Sequence, residues 1–299
     1  MTEPNTYVQA RSAEGRKDLR YPPAPEPLAV PVYDNHAHLE ILDGDEPLSL
    51  SEQLDRASAV GIAGVVQASG DIESSRWAVA AAEQDPRVFA AVAVHPNDAP
   101  VYAAAGRLEE ALAVIDELAG HPRTRAIGET GLDYFRTPEA AEAGSAARTA
   151  QHASFEAHIA LAKKHGIALQ IHDRDAHDDV LETLARVGAP ERTVFHCFSG
   201  DEAMARVCAD AGHYLSFAGN ITFKNAQNLR DALQVTPIDR ILVETDAPFL
   251  TPVPLRGRPN APYLVPVTVR FMASELGVDV DELCAQLAAN TLAVYGSFV

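Results

Sequence analysis

"VYDNHAH", residues 32–38, runs a β-branched and an aromatic residue into two histidines that stand one residue apart. As a strand it alternates its side chains with period two, so Asp34, His36 and His38 share one face and both imidazoles sit at its exit. Seven later runs repeat the pattern: 63–69 "AGVVQAS", 88–95 "VFAAVAVH", 125–130 "RAIGET", 168–173 "ALQIHD", 193–199 "TVFHCFS", 214–219 "YLSFAG" and 241–246 "ILVETD". Between them lie amphipathic stretches such as "LSLSEQLDRASAVG", "LEEALAVIDELAG" and "DDVLETLARVG", several closed by glycine where a helix C-cap is expected. Two more helices are expected near 266–276 and 280–295. Eight strand–helix units in 299 residues predict an α/β fold of the TIM-type (β/α)8 barrel. A doubly wound parallel sheet is the alternative arrangement of the same rhythm.

A barrel carries its chemistry at the C-terminal ends of its strands. The polar residues fall there. His36 and His38 end the first strand, His95 the third, Glu129 the fourth, His172 the fifth and Asp246 the eighth, while His196 lies within the sixth. Imidazole and carboxylate ligands without thiolate suit Zn²⁺, Mn²⁺ or a similar divalent ion, and a pure Mg²⁺ site would use more oxygen. Glu129, with Asp246 across the mouth, offers carboxylate oxygens between two ions about 3.5–4 Å apart, the spacing of two-metal hydrolases. The competing reading, unrelated core and surface residues, would bury several polar groups without partners. His95, before a proline, fits either a substrate contact or a strand cap. Arg174, Lys224, Arg256 and Arg258 fall just beyond strands five, seven and eight, where they could hold phosphate oxygens or stand as solvated surface charges.

Composition narrows the partners. A formal charge of −18 excludes an extended basic surface for nucleic acid but leaves room for a small phosphate-handling site whose positive charge comes from bound cations. Three scattered cysteines suggest neither a disulfide framework nor a thiolate zinc module, and a reducing cytoplasm is the expected location. No apolar run approaches the ~20 residues that span a bilayer, so no membrane association is expected. Residues 1–31 are polar and then rich in proline (Pro22, Pro23, Pro25, Pro27, Pro31). They read as an extension, poorly ordered or packed on the barrel, ahead of a hydrolase domain over 32–299. Prolines cannot donate ladder hydrogen bonds, so deletion of residues 1–28 is expected to cost little.

From Val32 onward the chain resembles the TatD family of metal-dependent deoxyribonucleases, within the amidohydrolase-like barrels. The segments that carry the resemblance are "DNHAHLE", "AVHPND", "AIGETGLDYF", "QIHDRDA", "VFHCFSG", "GNITFKNA", "LVETDAPFL" and "RGRPNAPYL", in the family's order. The resemblance implies two divalent ions held by His36, His38, Glu129, His172, His196 and Asp246, with Glu129 bridging. It also implies a DNA substrate. Asp246 is the expected group to orient or deprotonate the attacking water, with Glu129 beside it as the second catalytic carboxylate; Glu244, one layer deeper, is expected to orient a ligand histidine. His172 and His196 would serve the second ion. The sequence departs from the family at Asn35, where serine or threonine is usual, at Asn97, commonly histidine, and at Ala261, often glutamate. Sparse positive charge points to single-stranded or frayed DNA ends and exonuclease-like action; a monomer is expected. An acyl hydrolase, such as a D-aminoacyl-tRNA deacylase on the same barrel, is the alternative.

Overall fold

The computed structural model describes residues 9–12, 14 and 18–298. The rest of the N-terminal extension lies outside the described residues. A short strand β1 (Gln9–Ala10) pairs in parallel with β3 (Ile41–Leu42), and between them in the chain lies β2 (Val32–Ala37). Then follow β4 (Ile62–Gln67), β5 (Val88–Val92), β6 (Thr124–Asp133), β7 (Ala168–Arg174), β8 (Thr193–Phe195), β9 (Tyr214–Phe217) and β10 (Ile241–Val243). β2 and β4 to β10 form one parallel sheet whose spatial order follows the chain. It closes on itself through a bridge between Ala37 and Ala247, with Asp246 N–H donating to His36 O (3.0 Å) and His38 N–H to Ala247 O (2.7 Å). The fold is a TIM barrel, not a doubly wound sheet.

Strand periodicity sorts the core into two shells. Along β5, Val88, Ala90 and Val92 pack outward with the helices, while Phe89 and Ala91 belong to the cluster inside the barrel. At the strand entrances Phe298 stacks on Phe89 (centroids 3.9 Å) and on Tyr33 (4.8 Å), and Arg123 lies over Phe89 (4.6 Å). Gly64 makes room for this plug, because a Cβ there would sit 2.6 Å from the Phe298 ring. The helix Val280–Tyr295 delivers Tyr295 into the interior.

All eight strands form where the runs placed them, but their ends differ. β5 stops three residues before His95, β8 one before His196 and β10 three before Asp246. These tips leave the ladder to turn inward: Cys197 and Asp246 take φ of 40° and 52°, which extended pairing does not allow. β6 instead runs past Glu129 to Asp133, since Thr130–Asp133 pair with Ile171–Arg174 after a register shift beyond Ile127.

The proline-rich segment lies along the barrel. Its prolines lack N–H donors but its carbonyls serve as acceptors: Tyr263 Oη donates to Pro22 O (2.6 Å), Arg270 to Pro27 O (3.0 Å), and Arg258 to the carbonyls of Arg20 and Tyr21. Leu28 is buried, with its N–H on Val60 O.

Candidate metal centre

His36 leaves β2 pointing into the mouth, and its ring is fixed from below. Gln170 Oε1 lies 3.1 Å from His36 Nδ1, and the Gln170 amide donates to Asn35 O (2.8 Å) and to Tyr295 Oη (2.7 Å). With a carbonyl oxygen facing Nδ1, the proton sits there and the Nε2 lone pair faces the cavity. His196 is set the same way, Nδ1 against Glu244 Oε1 at 3.2 Å. For His172 the sense is reversed, because Nε2 faces Asp133 Oδ2 (3.2 Å) and leaves Nδ1 for the centre. Gly131 lets β6 approach this ring closely, as a Cβ there would meet His172 O at 2.0 Å.

Glu129 divides the donors into two sets. Its Oε2 is 3.7 Å from His36 Nε2 and 3.6 Å from His38 Nε2, and Asp246 Oδ1 is 3.9 and 3.6 Å from the same two nitrogens. The nitrogens are 3.2 Å apart. Donors at ligand bonds of about 2.1 Å around a tetrahedral ion stand roughly 3.4 Å from one another; His36, His38 and Glu129 form one such compact group, and Asp246 forms another with His36 and His196. Glu129 Oε1 faces the other way, 2.5 Å from His172 Nδ1, 2.7 Å from His196 Nε2 and 3.4 Å from His95 Nε2. The donor set fits divalent ions bound by nitrogen and oxygen. His196 stands between the sets, since its ring also stacks on His36 (centroids 3.8 Å).

The electrostatics fit the same chemistry. Burial alone would raise the Glu129 pKa, yet His196, His95 and His172 hold it well below the usual carboxylate range. Against its own burial, His196 is raised well above the ordinary imidazole range by Glu129 and Glu244, and His38 is raised to about 9 by Asp246 and Glu40. Protons supply the positive charge that these carboxylates demand, and a divalent cation displaces them.

Asp34 does not join the donors. It accepts from Thr245 N–H (2.9 Å), Thr245 Oγ1 (2.5 Å) and His36 N–H (3.2 Å), and so ties the Asp246 tip to β2. Burial pushes its pKa up to about 8 against those donors. The three positions Asn35, Asn97 and Ala261 also lie outside the donor sets. Asn35 donates to Val243 O (2.8 Å), and Asn97 to Asp133 Oδ2 (3.1 Å) while accepting from Thr137. Ala261 is buried beside Asn260, whose amide holds Thr245 O (3.0 Å) and Phe249 O (2.5 Å).

A cavity of about 730 Å³ opens above the centre. His95 and Arg174 line it, whereas Lys224, Arg256 and Arg258 do not. Arg256 lies over Phe223 (4.3 Å), and Arg258 is spent on the extension and on Asp18 (3.4 Å). Arg11 and Arg136, which the sequence did not single out, line it as well. Gln170 was legible by period two from His172. Asp133 was hidden by the assumption that β6 ends at Thr130, and nothing in the sequence announced Arg11.

The profile of the family described as TatD related DNase matches residues 33–296. The uncharacterized metal-dependent hydrolase TatD of Mycobacterium tuberculosis is 42% identical over 265 residues, 89% of this chain and 98% of that protein. The uncharacterized metal-dependent hydrolase YabD of Bacillus subtilis is 36% identical over 262 residues, 87% and 96% of the two chains. Among solved structures, YJJV, a TatD homologue from Escherichia coli, superposes with a TM-score of 0.77 at 25% identity, covering 89% of this chain and 98% of its own. Among the described residues no helix is long and apolar enough to cross a membrane.

Proposed function

The chain belongs to the TatD-related DNase family and is a metal-dependent hydrolase, and from that premise we propose that it cleaves phosphodiester bonds in DNA from single-stranded or frayed ends. The observation that carries the reading is Glu129, whose two oxygens face two separate donor sets. His36, His38 and Asp246 would hold one ion, His172 and His196 the other, and Glu129 both. When bound, the ions neutralise phosphate charge and make water a nucleophile near neutral pH. The side chains do the rest. Asp246, 14% exposed, reaches the cavity and takes or orients the proton of the attacking water. Glu244 and Gln170 keep their histidines in the ligating tautomer. Arg136 and Arg174 give an otherwise acidic cavity the positive charge that a phosphodiester needs and a neutral amide does not.

The test is hydrolysis of labelled oligonucleotides with Mg²⁺, Mn²⁺ or Zn²⁺. Single strands and frayed duplexes should be shortened from an end, and a chelator should stop the reaction. Asp246→Asn should keep the fold and bound metal and lose about 10²-fold or more in turnover, the scale of general-base catalysis. Rapid cutting of covalently closed duplex circles would refute end dependence. Cleavage of D-aminoacyl-tRNA or simple esters without cleavage of DNA would make the protein an acyl hydrolase.

A further inference from the structure

Phe135 is the one aromatic among the strongly exposed large apolar side chains of the described residues, 55% exposed. It sits two residues beyond the end of β6, at the rim of the mouth. Asp133 Oδ1 fixes its backbone by accepting from the N–H groups of Phe135 (3.0 Å) and Arg136 (2.7 Å). The ring is therefore held out on an ordered turn. The Arg174 guanidinium lies over it at 4.1 Å from the centroid.

Arg174 and Arg136 both line the cavity. Among the described residues neither guanidinium lies within 4.0 Å of a carboxylate, although most arginines in this acidic chain are paired or bonded to carbonyls. An exposed aromatic beneath one guanidinium and followed in the chain by a second, neither of them paired with a carboxylate, next to a site built for a phosphodiester, is the combination that recognises an unpaired nucleotide. The ring offers a face to the base, and the cations meet the adjoining phosphates. An apolar protein partner would not need the charges. A base inside a duplex could not reach the ring, because both its faces are occupied by its neighbours in the stack.

We propose that Phe135, backed by Arg174, is a base-stacking subsite that makes the enzyme select unpaired nucleotides next to the cleaved bond. The inference rests on the phosphodiesterase reading, and two separate readouts keep the two apart. The first is hydrolysis of oligothymidylate and of the same strand with abasic residues at its end. Wild type should lose about 10-fold in kcat/KM on the abasic strand, in line with the loss of one stacked base. Phe135→Ala should lose about as much on oligothymidylate and nothing further on the abasic strand, and Phe135→Trp should restore the preference. The second is binding of phosphorothioate oligothymidylate by the protein as purified, followed by fluorescence anisotropy. Binding should weaken about 10-fold in Phe135→Ala, with metal content unchanged.

Equal behaviour of Phe135→Ala and wild type on both strands and in binding would overturn the subsite. So would an equal loss on both strands, which would mark a structural role. Phe135-dependent binding without hydrolysis would uphold the subsite while refuting the phosphodiesterase reading.

Discussion

At their exits the eight strands gather five histidines and two carboxylates within a few ångströms, and at their entrances the same strands close over Tyr33, Phe89 and Phe298. The exit cluster is held against its own preferences. Glu129 is buried among groups that must be charged to satisfy it, and Asp34 and Glu244 are buried beneath it. The entrance is built the opposite way, from aromatic rings stacked on one another with the guanidinium groups of Arg123 and Arg125 over Phe89. The contrast shows one scaffold dividing its labour: the entrance contributes stability, and the exit spends some of it to keep donors preorganised. Residues at the two ends should therefore fail in different ways when changed.

Glu129→Gln should produce the largest effect and confine it to the exit. Loss of the shared carboxylate should lower activity by about 10³-fold or more and reduce the content of both ions, while folding persists. Metal analysis beside the rate checks this. A variant retaining both ions at full stoichiometry would show that Glu129 does not join the sets. Phe298→Ala probes the other end and should cost about 3 kcal/mol of stability, as large-to-small changes in packed aromatic sites do, with kcat near wild type at 25 °C. An activity loss disproportionate to unfolding would blur the division.

Deletion of residues 1–28 comes next. Composition alone suggested that these residues are dispensable, but the bonds to Pro22, Pro27, Arg20 and Tyr21 and the burial of Leu28 change that expectation. Burial of one leucine is worth about 2 kcal/mol, so the melting temperature should fall by several degrees. An unchanged melting temperature would show that these contacts add nothing net.

The smallest effect is a pH dependence at a histidine outside the donor sets. His158 is buried, its Nδ1 donating to Ser154 O (2.7 Å) and its Nε2 accepting from Val94 N–H (3.1 Å), and burial lowers its pKa to about 4. A folded pKa below the unfolded value means that its contribution is complete above about 6.5 and fades as pH falls toward 4. The stability gap between wild type and His158→Gln should narrow by up to about 2 kcal/mol from pH 7 to pH 5. A constant gap would mean that His158 does not titrate on unfolding in that range.

The sequence revealed the features that obey a short period. Alternation placed all eight strands, and His36 with His38, Glu129, His172, His196 and Asp246 converge as the strand ends implied. What stayed hidden depends on the chain leaving regular geometry. Asp246 reaches the mouth from a left-handed backbone three residues past its strand. Arg258 looked like a phosphate ligand because it follows strand eight, yet the extension takes it, and only tertiary packing reveals that. Arg11 enters the cavity from a segment whose composition offered no strand signal, by pairing β1 with β3.

The hydrogen bonds from Tyr295 through Gln170 to His36 also set an order in time. A ribosome makes His36 early and Tyr295 after nearly all the rest, so at ~5–20 residues per second the His36 ring waits on the order of tens of seconds for its support. A nascent chain can expose several donors of the centre during that interval without the bond network that fixes their tautomers. The hydrogen-bonded support beneath the His36 ring is therefore complete only once the Val280–Tyr295 helix, among the last segments made, has docked.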